Sequence, residues 1–304
     1  MSKECSREIE WPTMGLIAAV YLVLIGLVWL HASLPWWVIL PVGAYFAALH
    51  ASLQHEVLHG HPTGNRLLNE ALVFASPTMW LPFYRYRQTH LLHHNDSNLT
   101  DPRLDPESYY LLPEAWAETT GIRRVLFEIN HTLAGRMAIG PAISILRFWS
   151  SEFRGMANGN LETAWAWAWF ALSAAITIWF VVWVAGMPLW QYYFLIAYPG
   201  ISLALVRSYC EHQAAEAVEH RTIIVEASPF WSLLFLNNNL HVAHHARPAL
   251  AWYKIPAFYR AERAQLIAQN NGYLMKGYGE IFSRFFLKAK EPIPYPSMKW
   301  LKKL

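Results

Sequence analysis

Four uncharged apolar runs, arranged as two pairs, limit what this chain can fold into. Thr13 to Leu30 is made of Leu, Val, Ile and Ala and is bounded by Trp11-Pro12 and His31. After the break His31–Pro35 a second run goes from Trp36 to about Gln54. Thr163 to Ala185 and Pro188 to Val206 form the other pair, turning at Gly186-Met187-Pro188. Each run is close to the roughly 20 apolar residues that cross a bilayer as a helix. In lipid the backbone must satisfy its own hydrogen bonds, which selects helices. The expectation is an all-α integral membrane protein, one domain over 1–304. Its four transmembrane helices, at about 13–30, 36–54, 163–185 and 188–206, form two hairpins. Trp36 and Trp37 stand where interfacial anchors belong, and Pro199-Gly200 is expected to kink the last helix. Charged residues make up only 15% of the chain, against roughly 25% in soluble domains.

Charge placement gives an orientation. Of the 24 Lys and Arg, 2 precede the first run, 9 lie between the hairpins and 13 follow the second. By the positive-inside rule both termini and the central loop face the cytoplasm. Residues 55–161 and 207–304 then form a cytoplasmic helical cap. Leu67 to Phe83 is broken by Glu70, Pro77 and Pro82 and is no span, while Met137 to Trp149 reads as an amphipathic interfacial segment. The tail from about Tyr253, with Lys299, Lys302 and Lys303, reads as part of the cap. Arg85, Arg87 and Arg207 stand near the membrane exits, where an anionic headgroup would meet them, although the charge rule alone accounts for them. A net charge of +3 spread along the chain excludes a nucleic-acid partner and suits a lipid surface. Cys5 and Cys210 match no metal or redox spacing and are expected as free thiols. The first residues mix both charges and show no secretory cleavage pattern.

Histidine spacing carries the chemistry. His90, His93 and His94 repeat the spacing of His241, His244 and His245, and His55 and His59 form an i, i+4 pair. On a helix such positions share a face, so eight of the fourteen histidines fall into three tight groups. That pattern is a polynuclear metal centre held mainly by nitrogen. Imidazole suits iron, copper, zinc or nickel alike. His212, isolated but just past the last span, is added on topological grounds. His61 follows Gly60 and precedes Pro62, which end the helix, so its direction is open. Asp96 and Asp101 are candidates to accept the other ring N–H of a ligand, and Asn237 lies one turn before His241. His50 and His31 read as packing or interfacial residues. His55-Glu56-Val57-Leu58-His59 spells a zinc-peptidase motif, but a single zinc leaves two histidine groups unexplained. No G-x-S-x-G supports hydrolysis. A metal transporter should carry ionisable residues within its spans, and these spans carry almost none.

These residues resemble the membrane fatty-acid desaturase superfamily. Its three histidine boxes are matched by His55–His61, His90–His94 and His241–His245. Leu68-Asn69-Glu70-Ala71-Leu72, the run Asn237-x-Asn239-x-His241, and Pro248, Tyr253 and Pro256 match their surroundings. His212 is placed like an additional ligand of acyl desaturases. Ser208, one turn earlier, stands where some of those enzymes have Asn. The resemblance implies two non-haem irons held by His55, His59, His90, His93, His94, His212, His241, His244 and His245, with O2 as co-substrate. It implies an oxidoreductase that puts a double bond into a fatty acyl or lipid-like chain. Hydroxylases, ketolases and terminal-alkene-forming enzymes share the boxes, and a non-catalytic metal-binding membrane protein is the remaining class. No haem or ferredoxin motif is appended, so a separate ferredoxin, rubredoxin or cytochrome b5-type donor is implied. The expected location is a bacterial inner membrane with the metal on the cytoplasmic side.

Overall fold

The computed structural model describes residues 8–94 and 96–296. Lys3, Glu4, Cys5, Arg7, Asn95, Lys299, Lys302 and Lys303 lie outside the described residues. The protein is mostly helical, with four helices long and apolar enough to cross a membrane: Trp11–Trp29, Trp36–Leu58, Leu161–Val184 and Leu189–Ser208. All four expected spans are present. The second runs four residues beyond the expected end, carrying His55 into regular helix. Local chemistry sets the boundaries. Pro12 sits in the first turn of the first span, Pro35 and Pro188 cap the second and fourth, and the Asn160 side chain accepts from Thr163 N at 3.0 Å to start the third. A proline at such a position lacks only an N–H that would be unpaired anyway. Expected irregularity at Pro199 takes a specific form. A widened π-helical turn, Tyr193–Ala197, precedes the regular helix Tyr198–Ser208, and a second, Trp179–Val184, ends the third span.

Two compact units divide the chain. The first comprises 1–87, 142–204 and 234–236, the second 88–141, 205–233 and 237–304. In the first unit the second and fourth spans touch closely. A Cβ on Gly200 would lie 2.6 Å from the Ala47 Cβ, and one on Gly43 would lie 2.7 Å from Ile196 Cγ1. Small residues thus let helix backbones approach where no hydrophobic gain drives association in lipid.

The same unit threads an irregular segment, Phe74 to Pro77, among these helices. Its four consecutive carbonyls each meet a side-chain donor from a span. Ser173 Oγ donates to Phe74 O, Tyr21 Oη to Ala75 O at 3.0 Å, Thr177 Oγ1 to Ser76 O at 3.4 Å, and Tyr192 Oη to Pro77 O at 2.7 Å. Non-helical backbone persists between membrane helices only when protein groups replace the missing bonds. His50, fully buried, meets Tyr21 Oη at 2.9 Å and so belongs to this network.

The second unit has a small apolar core in which Ile224, Leu240, Val242, Ala243, Ile255, Tyr259 and Leu266 pack together. Ile224–Val225 pairs in parallel with Leu274–Met275, a short ladder that periodicity did not reveal.

Candidate metal centre

Three segments of the second unit present its histidines. His90 and His93 end the helix Phe83–His93, with His94 next. His212 lies in irregular backbone bridged to Thr222. His241, His244 and His245 occupy the helix His241–Ala246. Asn239 fixes that helix through Val225: Val225 N donates to Asn239 O and Asn239 Nδ2 donates to Val225 O, both at 2.8 Å. Val242 and Ala243 face the apolar core. The intervening helix positions, 241, 244 and 245, are then left to face the other histidines, as a 3.6-residue period requires.

The rings sort into two groups. His93, His212, His241 and His245 form one, with ligand nitrogens all within 4.8 Å of one another; His90, His94 and His244 lie equally close in the other. The Nε2 atoms of His93 and His212 are 3.0 Å apart and those of His212 and His241 3.1 Å. In the other group His90 and His94 Nε2 are 3.0 Å apart, and His94 and His244 Nε2 3.1 Å. Two nitrogens each about 2.1 Å from one ion, at a right angle, stand about 3.0 Å apart. The donor spacing therefore fits two transition-metal ions.

Opposite ring nitrogens are anchored. His90 Nδ1 meets Glu107 Oε1 at 2.8 Å, His93 Nδ1 meets Asp105 Oδ1 at 2.9 Å, and His241 Nδ1 meets Asn238 Oδ1 at 2.8 Å. An acceptor at Nδ1 fixes the proton there and turns the Nε2 lone pair inward. Burial, reinforced by neighbouring rings, pushes His212 and His241 well below the usual histidine value. That favours the neutral ligand form. His93 differs: burial would lower it, but Glu107 and Asp105 hold it up to about 9. Against burial, the facing His90 and His93 keep the Glu107 carboxyl low.

His212 is braced from behind. Its carbonyl accepts from Tyr109 Oη at 3.0 Å and from Lys290 Nζ at 2.5 Å. Lys290 pairs with Glu291 at 2.8 Å, and Glu291 also accepts from Tyr109 and Tyr110. Although burial would raise it, Lys290 and these hydroxyls hold Glu291 below the ordinary carboxylate range.

His55 and His59 belong to the first unit, one turn apart on the second span, with ring centroids 4.9 Å apart. His61 points to Glu10, its Nδ1 lying 2.8 and 3.0 Å from the two carboxylate oxygens. Asp101 accepts from the backbone N–H of Arg103 and Leu104 at 2.7 and 3.2 Å, and Asn237 donates to Trp252 O at 3.0 Å. Those two side chains are thereby used in loop closure. The side chain of Asp96 lies outside the described residues. Sequence reasoning missed Asp105, Glu107 and Asn238. The acids were visible in the run after the second box, but the turn that aims them was not.

A family model described as Fatty acid desaturase matches residues 32–277. No curated protein matches the chain.

Proposed function

The chain belongs to the fatty acid desaturase family, and from that premise we propose that it is an O2-dependent di-iron oxidoreductase introducing a double bond into a fatty acyl or lipid-like chain. The observation carrying this reading is the pair of histidine groups with Nε2 atoms 3.0–3.1 Å apart. His93, His212, His241 and His245 hold one iron. His90, His94 and His244 hold the other, and the first box, His55 and His59, completes the ligand set as the family's box pattern implies. Bound there, the irons supply the O2-driven oxidation of an unactivated C–H bond.

The protein's part is positioning. Asp105, Glu107 and Asn238 keep Nε2 lone pairs inward, and Lys290 with Tyr109 fixes the backbone at His212. Electrons come from a separate ferredoxin, rubredoxin or cytochrome b5-type protein. The Lys and Arg asymmetry supports a centre at the cytoplasmic face, and the reading takes the membrane to be a bacterial inner membrane.

Cells producing the wild type and His244→Ala are compared by elemental analysis and by mass spectrometry of extracted lipids and small amphiphiles. About two irons per chain, with a species 2 Da lighter only in the wild type, is the expected result. A product about 16 Da heavier would move the activity to hydroxylation. A single zinc with no O2-dependent product under supplied reductant would reject the di-iron reading.

A further inference from the structure

The first unit contains a cavity of about 300 Å³ whose walls come from the second and third spans and from residues 67–84. Phe74, Phe83, Tyr84, Trp169 and Phe170 line it, and Gln54 contributes from the second span, one residue before His55. Its size is at the lower end of small-ligand sites, and its mainly aromatic wall is typical of them.

Glu70 breaks that apolar character. It lines the cavity and is 6% exposed, yet neither carboxylate oxygen has a donor in good hydrogen-bonding geometry among the described residues; the Tyr84 hydroxyl, on the same wall, interacts with it. Arg66 Nε is 3.5 Å from Oε1, but the Arg66 side chain is 64% exposed, so solvent screens that pair. A carboxylate has about four acceptor sites, so Tyr84 and Arg66 replace its lost hydration only in part. A ligand group in the cavity is positioned to supply the missing bonds.

Arg85 and Arg207, which would welcome an anionic headgroup, are committed elsewhere in their own units. Arg85 grips Glu152 through two hydrogen bonds of 2.6 and 2.9 Å. Arg207 pairs with Glu211 at 2.9 Å. A carboxylate or phosphate entering the cavity would meet Glu70 as a like charge. A protonated amine would gain both the carboxylate and the aromatic faces, and a hydroxyl would gain the hydrogen bond alone.

We infer that this cavity binds an amphiphile by a polar end that donates hydrogen bonds, a primary amine or an alcohol on an apolar body, with Glu70 as the acceptor. This names the substrate class for the oxidoreductase proposed above and rests on that reading for the ligand's fate. The binding itself stands apart from the metal.

The test is calorimetric titration of the metal-free full-length protein in zwitterionic nanodiscs with octylamine, octanol and octanoate at pH 7. Glu70→Gln and Ala71→Trp are titrated alongside, the second filling the cavity without altering the carboxylate. The saturable signal absent from Ala71→Trp isolates the cavity from bilayer partitioning. Octylamine, octanol or both should bind the wild type at least about ten-fold more tightly than octanoate, and lose about ten-fold or more in Glu70→Gln, the scale of one hydrogen bond to a charged group. Binding of the amine alone identifies a cationic ligand; binding of both identifies a donor of either kind. Octanoate binding as tightly as the other two, an unchanged Glu70→Gln, or no saturable binding overturns the inference. Because no metal is present, none of these results depends on the di-iron reading.

Discussion

Asp105 accepts the Nδ1 proton of His93 at 2.9 Å, while Nε2 of the same ring stands 3.0 Å from Nε2 of His212. One short loop contact thus decides which nitrogen faces the metal position. Its other oxygen accepts from Thr100 N at 2.8 Å and Oδ1 also takes Glu107 N at 2.9 Å, so the carboxylate is itself held in place.

Replacing Asp105 with Ala should weaken metal retention by about 10- to 100-fold, the usual consequence of losing an outer acceptor on a ligand histidine. Asp101→Asn, which alters only a turn, should change retention far less. Competition with a chelator of known affinity, read by elemental analysis, measures both. Equal losses in the two variants would remove the orienting role of Asp105.

Tyr192→Phe removes the donor to Pro77 O and should lower stability by about 1–3 kcal/mol, the cost of leaving a buried acceptor unpaired. Trp190→Phe, at an exposed site on the same helix, is the comparison. Unfolding midpoints in detergent distinguish them. No difference between the two would mean that the Phe74–Pro77 segment does not need its donors.

Gly200→Leu should destabilise the first unit by about 1–3 kcal/mol or more, through overpacking against Ala47. At Gly26 a Cβ would meet nothing within 4 Å, so Gly26→Leu should be tolerated. The pair of thermal midpoints separates helix contact from any general effect of leucine on insertion.

Acid sensitivity has an identifiable contributor in His131. Burial, with Arg136 acting in the same direction, lowers it to about 4 despite its Nδ1 bond to the Phe127 carbonyl. An unfolded histidine titrates near 6.5. Between pH of about 6.5 and about 4 the unfolded chain therefore binds the proton more readily, and stability falls as pH falls through that window. In metal-free protein, His131→Leu should lose less of its midpoint than the wild type between pH 7 and 4.5. Parallel losses would exclude His131 as a contributor.

The sequence by itself determined the membrane helices, because each apolar run is long enough to span and proline or asparagine marks each start. It also determined the histidine sets, since spacing on a helix fixes which side chains share a face regardless of what lies opposite. Tertiary structure decided which polar groups serve those histidines. Asp101 and Asp105 are four residues apart in one acidic run, yet one closes a turn and the other reaches His93. Asn237 and Asn238 are adjacent, yet one clamps Trp252 O and the other meets His241. His61, next to the first box, ends on Glu10. Such choices depend on loop torsions and on distant partners across the fold. They leave no periodic signal, because a carboxylate or amide looks the same in sequence whichever way its backbone turns it.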